Sequence, residues 1–363
     1  DLRHGQEREI PYVPQQEQLM QLNRLEQQLR EYIQQNCGKL SRPLQRALQQ
    51  TAELAQRFLR PDDHSIRYVE FITKSGEGEK MASLNAVPKD LPECLYNALW
   101  SRGKPAILTS GTLAAGDRFS NTKRQLGLEC GVPIRTLRVS SPFHYQQNCL
   151  LVFPGGYNAK ACGETNNVQG ARLVKQLVEA ANGHALVLFT SYEQMGVMYE
   201  TLKQDLKFAV LQARRGSQTA VEQFKQMPNG VLLAGGPCWE GMDFPGDMVS
   251  LLVIVRLPFP VPDPVREARR AQYADLHTYI QAEIVPEMQQ KLRQGFGRAI
   301  RTETDSCAVA ILDPRAEPGG RYHQAVLDAL PPDIPVTTEI GDIEPFLRAH
   351  KSPDYFLPNS DHD

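Results

Sequence analysis

The chain has 363 residues, 41% hydrophobic and 23% charged, with a formal net charge of -2. That length allows one large domain or two, and the near balance of charge gives no overall basic field from which a nucleic-acid partner could be argued. No apolar run reaches the ~18–20 residues of a membrane helix, so no membrane partner is expected. Seven scattered cysteines without a C-x-x-C step offer neither a metal signature nor a secreted disulfide framework.

The chain starts at Asp1 without an apolar leader, as a fragment of a longer protein would, and its scattered cysteines suit a reducing cytoplasm. In Gln15–Leu59, Leu22, Leu25, Leu29 and Tyr32 recur at helical spacing, and Leu44, Leu48, Thr51, Leu54 and Phe58 repeat the pattern. Asn36-Cys37-Gly38 supplies a stop and Ser41 with Pro43 a new start, so a helical hairpin is predicted. From Tyr68 the character changes to short β-rich runs. Strands are predicted at Tyr68–Ile72, Ala106–Thr109, Leu150–Phe153, Ala185–Phe189, Phe208–Leu211, Val231–Ala234, Leu251–Val255 and Ala308–Leu312. Helical patterns at Val168–Ala181, Tyr192–Leu202, Val265–Ile280 and Pro286–Arg301 fall between them. Apolar strands alternating with helices predict an α/β fold with a mostly parallel sheet. Such sheets bind ligands beyond the carboxyl ends of their strands. Asp117–Val139 reads as a link, and the tail from Lys351 as a frayed terminus.

Three loops carry candidate chemistry. In Gln294-Gly295-Phe296-Gly297-Arg298-Ala299-Ile300-Arg301, a continuing helix would put Arg298 and Arg301 on one face, as an acceptor for charge on a transferred phosphoryl group. Gly295 and Gly297 would admit close approach of backbone or phosphate. Gly235–Gly246 follows an apolar strand, and its glycines free Gly241 and Asp243 to face a ligand. Ala106–Leu113 ends in Thr109, Ser110 and Thr112, hydroxyls able to exchange hydrogen bonds between states. Taken alone, these loops read more simply as a solvated basic face, a tight turn and a helix cap.

Their order and spacing tell more. Q-x-x-G-R-x-x-R, followed by Thr302–Asp305 and a strand ending Asp313-Pro314-Arg315, resembles motif VI of superfamily 2 helicases, in the form of the DinG branch of the XPD-like family. W-E-G-x-D-F-x-G from Trp239 resembles motif V, with Pro237-Cys238 as a departure. Thr109–Leu113 is similar to motif III with Gly111 for the usual Ala, and Leu186–Tyr192 resembles motif IV. Ser141-Pro142-Phe143 is similar to the entry into the second motor domain.

The resemblance implies a RecA-like, mostly parallel sheet flanked by helices and preceded by the α-helical hairpin. It divides the chain into an arch-like helical segment (1–64), the end of the first motor domain with a linker (65–138), the second motor domain (139–350) and a tail (351–363). It assigns Arg298 and Arg301, with Gln294 beside them, to catalysis, and Gly241, Asp243 and Gly297 to the nucleotide. Thr190, Ser191, Tyr192, Trp239 and Glu240 are implied to meet single-stranded or forked DNA, and Thr109, Ser110 and Thr112 to couple hydrolysis to movement. ATP and Mg2+ are the implied cofactors, and 5′ to 3′ the implied polarity.

The chain holds no phosphate loop: Gly38-Lys39 and Gly103-Lys104 lack the upstream glycine and the following hydroxyl, and Asp62-Asp63-His64 does not follow an apolar strand. The triphosphate, Mg2+ and any iron–sulfur cluster would therefore be held by an amino-terminal motor domain acting as partner, and no metal site is expected in this chain. The alternative is a non-catalytic domain that binds single-stranded DNA or a partner.

Overall fold

The computed structural model describes residues 8–60, 64–73, 80–114, 119–157, 164–214, 218–244 and 246–357. They gather into two compact units, each built from several segments. The first takes 1–107, 122–135 and 261–280, and the second takes 108–121, 136–260 and 281–363. Residues 261–280, which lie inside the 139–350 span of the sequence division, thus gather with the first unit.

In the first unit the hairpin forms as Gln16–Gln35 and Arg42–Leu59. The Asn36 side chain bonds back to the Tyr32 carbonyl and Gly38 takes a φ of +88°, which ends the first helix. The second helix buries Ala52, Ala55 and Phe58, and Tyr12 meets Phe58 edge-on at 4.9 Å. Beside them β1 (Arg8–Pro11), β2 (Ser65–Thr73) and β3 (Lys80–Pro88) form an antiparallel sheet. The strand expected at Tyr68–Ile72 therefore exists, but in this antiparallel ribbon and not in a parallel motor sheet. Its partner β3 escaped notice because Lys80, Ser83 and Asn85 interrupt the apolar pattern of a half-exposed strand.

The expected strand Ala106–Thr109 is irregular and exposed, with Ile107 at 94%. Nothing pairs with it among the described residues, and Pro105 cannot donate a ladder bond. The expected helix Val265–Ile280 is broken into Pro264–Arg270 and Leu276–Tyr279, because Asp275 accepts the Thr278 amide and hydroxyl and caps a fresh start.

The second unit is built on seven parallel strands in the order β10-β4-β9-β8-β5-β7-β6. These are β4 (Cys149–Val152), β5 (Ala185–Phe189), β6 (Val210–Ala213), β7 (Val231–Gly235), β8 (Leu251–Ile254), β9 (Cys307–Ile311) and β10 (Val336–Thr337). Every residue of β4, β5, β7, β8 and β9 is buried, as strands covered on both faces require. Helices Glu164–Ala180, Tyr192–Asp205, Gln218–Gln226, Val285–Phe296 and Ile343–His350 flank this sheet. It is the RecA-like arrangement expected, and its parallel strands deliver their following loops to one edge.

The opposite edge is closed by the tail. Asn182, Gly183 and His184 all take positive φ, and a Cβ on Gly183 would meet the Asn229 carbonyl oxygen at 2.1 Å. His184 stacks on Tyr355 at 4.2 Å, the Tyr355 hydroxyl donates to the Ala181 carbonyl, and Lys351 pairs with Asp247. The terminus expected to fray is thus ordered through Leu357, with Tyr355 buried; residues 358–363 lie outside the described residues, as do Asp62, Asp63 and Pro245.

Burial pulls the His184 imidazole from the ordinary 6.5 down to about 4, against the opposing pull of Asp247. The fold holds the ring neutral, so between these values the unfolded chain binds the extra proton. Stability from this contact is complete above about pH 6.5 and is lost as pH falls toward about 4. Urea midpoints should drop through that window, and His184→Asn, which suits the positive φ, should flatten that part of the profile.

Candidate functional site

Past β7 the chain makes a tight turn, Gly236–Trp239, in which Gly236 takes a φ of +54° beneath the Tyr192 hydroxyl. Trp239 is 1% exposed and donates its indole N–H to the Phe189 carbonyl at 2.9 Å. Five residues on, Phe244 is also 1% exposed and meets Phe224 edge-on at 5.6 Å. Two buried rings thus anchor the loop at both ends, and Glu240, Gly241 and Asp243 between them are exposed. Gly241 takes a φ of +78° with open space where a Cβ would be. Cys238 is buried, which raises its thiol to about 11 and keeps it protonated at neutral pH.

Trp239 therefore has no free face for a base, contrary to its expected DNA contact. It braces the loop instead. The residue that lets it fit is Gly295, where a Cβ would lie 2.7 Å from the indole ring. Gly295 makes room for a side chain, not for phosphate.

Helix Val285–Phe296 stops short of the arginines, which corrects the expected shared helical face. The amides of Arg298 and Ala299 bond three residues back, to Gly295 and Phe296, so the last turn tightens and the chain leaves the helix at Gly297. Ala299 and Ile300 are buried and pin this turn, with an arginine on either side. Arg298 Nη1 and Arg301 Nη2 both donate to the Met242 carbonyl, the latter at 2.7 Å. Arg301 Nε lies 3.2 Å from Asp243 Oδ1, an ion pair set at an angle that leaves Nε without a hydrogen bond; Arg298 Nε also has none. Burial, then the neighbouring Arg301 charge, lowers the Arg298 guanidinium from its ordinary value. Two crowded, half-buried cations make a strong local demand for anionic oxygen.

The structure thus joins the two glycine-containing loops on which Arg298, Arg301, Gly241 and Asp243 were placed. Gln294 and Gly297 sit half-buried at the helix end beside them. Sequence reasoning missed two parts of the arrangement. The Met242 carbonyl belongs to the backbone and leaves no trace in a side-chain pattern. Asp305 could have been found as a cap: its carboxylate accepts the Arg301 and Thr302 amides at 2.7 and 2.8 Å and so sets the direction of Arg301.

Thr190 and Tyr192 are exposed after β5, while Ser191 caps the next helix through the Gln194 amide. Thr109, Ser110 and Thr112 lie in a segment apart from the arginine turn, and Ser110 and Thr112 share a hydrogen bond at 3.1 Å. What links that segment to the arginine turn is Arg293, which donates to the Ala114 carbonyl and, at 3.0 Å, to the Ala329 carbonyl. Among the described residues no three His, Cys, Asp or Glu side chains gather as metal ligands, and no helix is long and apolar enough to cross a membrane.

Residues 174–333 match the family described as the helicase C-terminal domain. The chain is 34% identical over 276 residues to the ATP-dependent DNA helicase DinG of Photobacterium profundum, covering 72% of this chain and 39% of that protein. It is 29% identical over 308 residues to the 3′-5′ exonuclease DinG of Bacillus subtilis, covering 82% of this chain and 33% of that protein. The chain therefore spans between a third and two fifths of the length of these curated relatives. A solved XPD helicase superposes with a TM-score of 0.55 over 93% of this chain and 58% of its own, at 19% identity, a likeness of fold.

Gly295→Ala should drive a methyl group into the Trp239 ring and lower unfolding free energy by about 1–3 kcal/mol. Denaturant unfolding followed by tryptophan fluorescence measures this, and wild-type stability would refute the bracing role.

Proposed function

We propose that this chain, a C-terminal portion of a DinG/XPD-like superfamily 2 helicase, supplies the arginine side of an ATP site and part of a single-stranded DNA track. The observation that carries the reading is the convergence of Arg298 and Arg301 on one carbonyl beside the exposed Asp243, with both Nε groups left without acceptors. Those residues fit the far side of a nucleotide. They do not fit its cradle, since the phosphate loop and magnesium carboxylates are not in this sequence. ATP with Mg2+, held mainly by the amino-terminal motor domain, supplies the phosphoryl transfer that drives movement.

The chain's own residues then divide the work. Arg298 and Arg301 exchange the Met242 carbonyl for equatorial phosphate oxygens, where guanidinium charge counts most in the transition state. Asp243, exposed and released from Arg301 by that exchange, is free to accept a ribose hydroxyl. Gly241 and Gly297 keep the approach open, and Gln294 lies behind them. Thr190, Ser191, Tyr192 and Glu240 line the DNA side, where hydroxyl and amide contacts to phosphate hold the strand without reading its sequence. Thr109, Ser110 and Thr112 report on hydrolysis through the Arg293–Ala114 link. The track favours single-stranded or forked DNA, with 5′ to 3′ movement and a cytoplasmic setting. Any iron–sulfur cluster would be held by the amino-terminal part of the full-length protein and not by this chain.

In the full-length protein, Arg298→Ala or Arg301→Ala should reduce DNA-stimulated ATP hydrolysis about 10³-fold or more. Single-stranded DNA affinity should stay within a few-fold, and any nuclease activity carried elsewhere in the protein should be untouched. Full hydrolysis by either variant, or normal turnover by this chain alone, would overturn the assignment. A DNA-binding module without catalysis would bind the strand equally well with both arginines removed and show no ATP hydrolysis in the full-length protein.

A further inference from the structure

Past the ends of β8 and β9 the chain sets out a row of rings and guanidiniums to which the motif resemblance assigns no role. Asp313, fully buried, accepts the Leu257 amide at 3.0 Å from the loop leaving β8. The same carboxylate grips Arg315 as a fork, Nε to Oδ1 at 2.9 Å and Nη2 to Oδ2 at 2.6 Å. The guanidinium then lies over the Phe259 ring at 4.6 Å. Phe259 meets Tyr322 at 4.8 Å, and Arg321 stands over Tyr322 at 5.4 Å. The order is therefore Arg315, Phe259, Tyr322, Arg321, with the buried Tyr322 and half-buried Phe259 backing the two guanidiniums.

A staple between the two loops would account for Asp313, Leu257 and the inner edge of Arg315. It would not account for the outer edge. The Arg315 side chain is 24% exposed, and the fork leaves its Nη1 group directed away from Asp313. Nor does a staple involve Arg321, which is exposed over the Tyr322 ring. Fixed guanidiniums backed by aromatic faces lose little side-chain entropy on meeting an anion. They hold phosphate through their edges and tolerate any base against their faces.

Position supplies the ligand class. β8 lies between β9 and β5, and all three run parallel, so the Arg315 loop opens on the same edge as Thr190 and Ser191. At ~4.8 Å per strand the ends of β9 and β5, from which the two loops leave, stand roughly 10 Å apart.

We propose that Arg315 and Arg321, braced on Phe259 and Tyr322, form a second phosphate-contact subsite for single-stranded DNA, extending the track that starts at Thr190. The subsite rests on the DNA-track reading above and adds a length of contact that the motif resemblance did not include.

Salt dependence tests it. Binding of a fluorescent oligothymidylate to the chain is followed by anisotropy across a salt series, for wild type, Arg321→Gln, Arg315→Gln and Arg315→Lys. Each lost phosphate contact should make the log–log salt slope shallower by about 0.7. Arg315→Lys keeps the charge and should hold the wild-type slope. Arg321→Gln touches only the Tyr322 ring and remains informative if Arg315→Gln unfolds. A steep wild-type response that both Gln variants retain would overturn the subsite alone. A flat wild-type response would overturn the DNA track itself, and the subsite with it.

Discussion

The geometry of the second unit depends on one close contact, the indole of Trp239 laid against the bare backbone of Gly295. Its N–H is spent on the Phe189 carbonyl at the end of β5, its ring holds the loop after β7, and its face sets the height of helix Val285–Phe296. Three segments far apart in sequence are fixed by one side chain in the core. The arginine turn inherits its position from that contact, because Gly295 lies only three residues before Arg298. Without the wedge there would be no reason for Met242 and the two guanidiniums to meet.

Charge shapes the same neighbourhood in the opposite sense. Arg298 and Arg301 crowd each other in a half-buried setting where separation would be cheaper. Buried Ala299 and Ile300 force the proximity, and Asp305 fixes the main chain that carries it. Packing energy thus maintains an electrostatic arrangement that would not assemble by itself, which is how a site can be ready for an anion before one arrives.

Much of this was legible in the amino-acid order, for a simple reason. Strands such as Ala185–Phe189 and Val231–Gly235 are buried on both faces, so their composition is nearly all apolar and their bounds stand out. The ribbon partner Lys80–Pro88 is half-exposed and carries no such signature. Ala106–Thr109 shows the converse error, an apolar run with no partner strand among the described residues. At the site, the arginines and glycines were legible as types in a spacing, while their meeting point was not. A Gly-Arg step does not reveal that the helix ends at Phe296, and Trp239, with its amphipathic ring, reads equally as a base-stacking residue or as core.

The convergence on Met242 has a consequence for how this site can vary. The acceptor that holds both arginines belongs to the main chain, so every amino acid placed at that position would present the same oxygen. Drift of the side chain there leaves the contact intact, and a search for invariant letters passes over it. The site's resting state is thus encoded in the path of the polypeptide, where substitution scanning has little purchase and only a change in loop length or backbone angle would register.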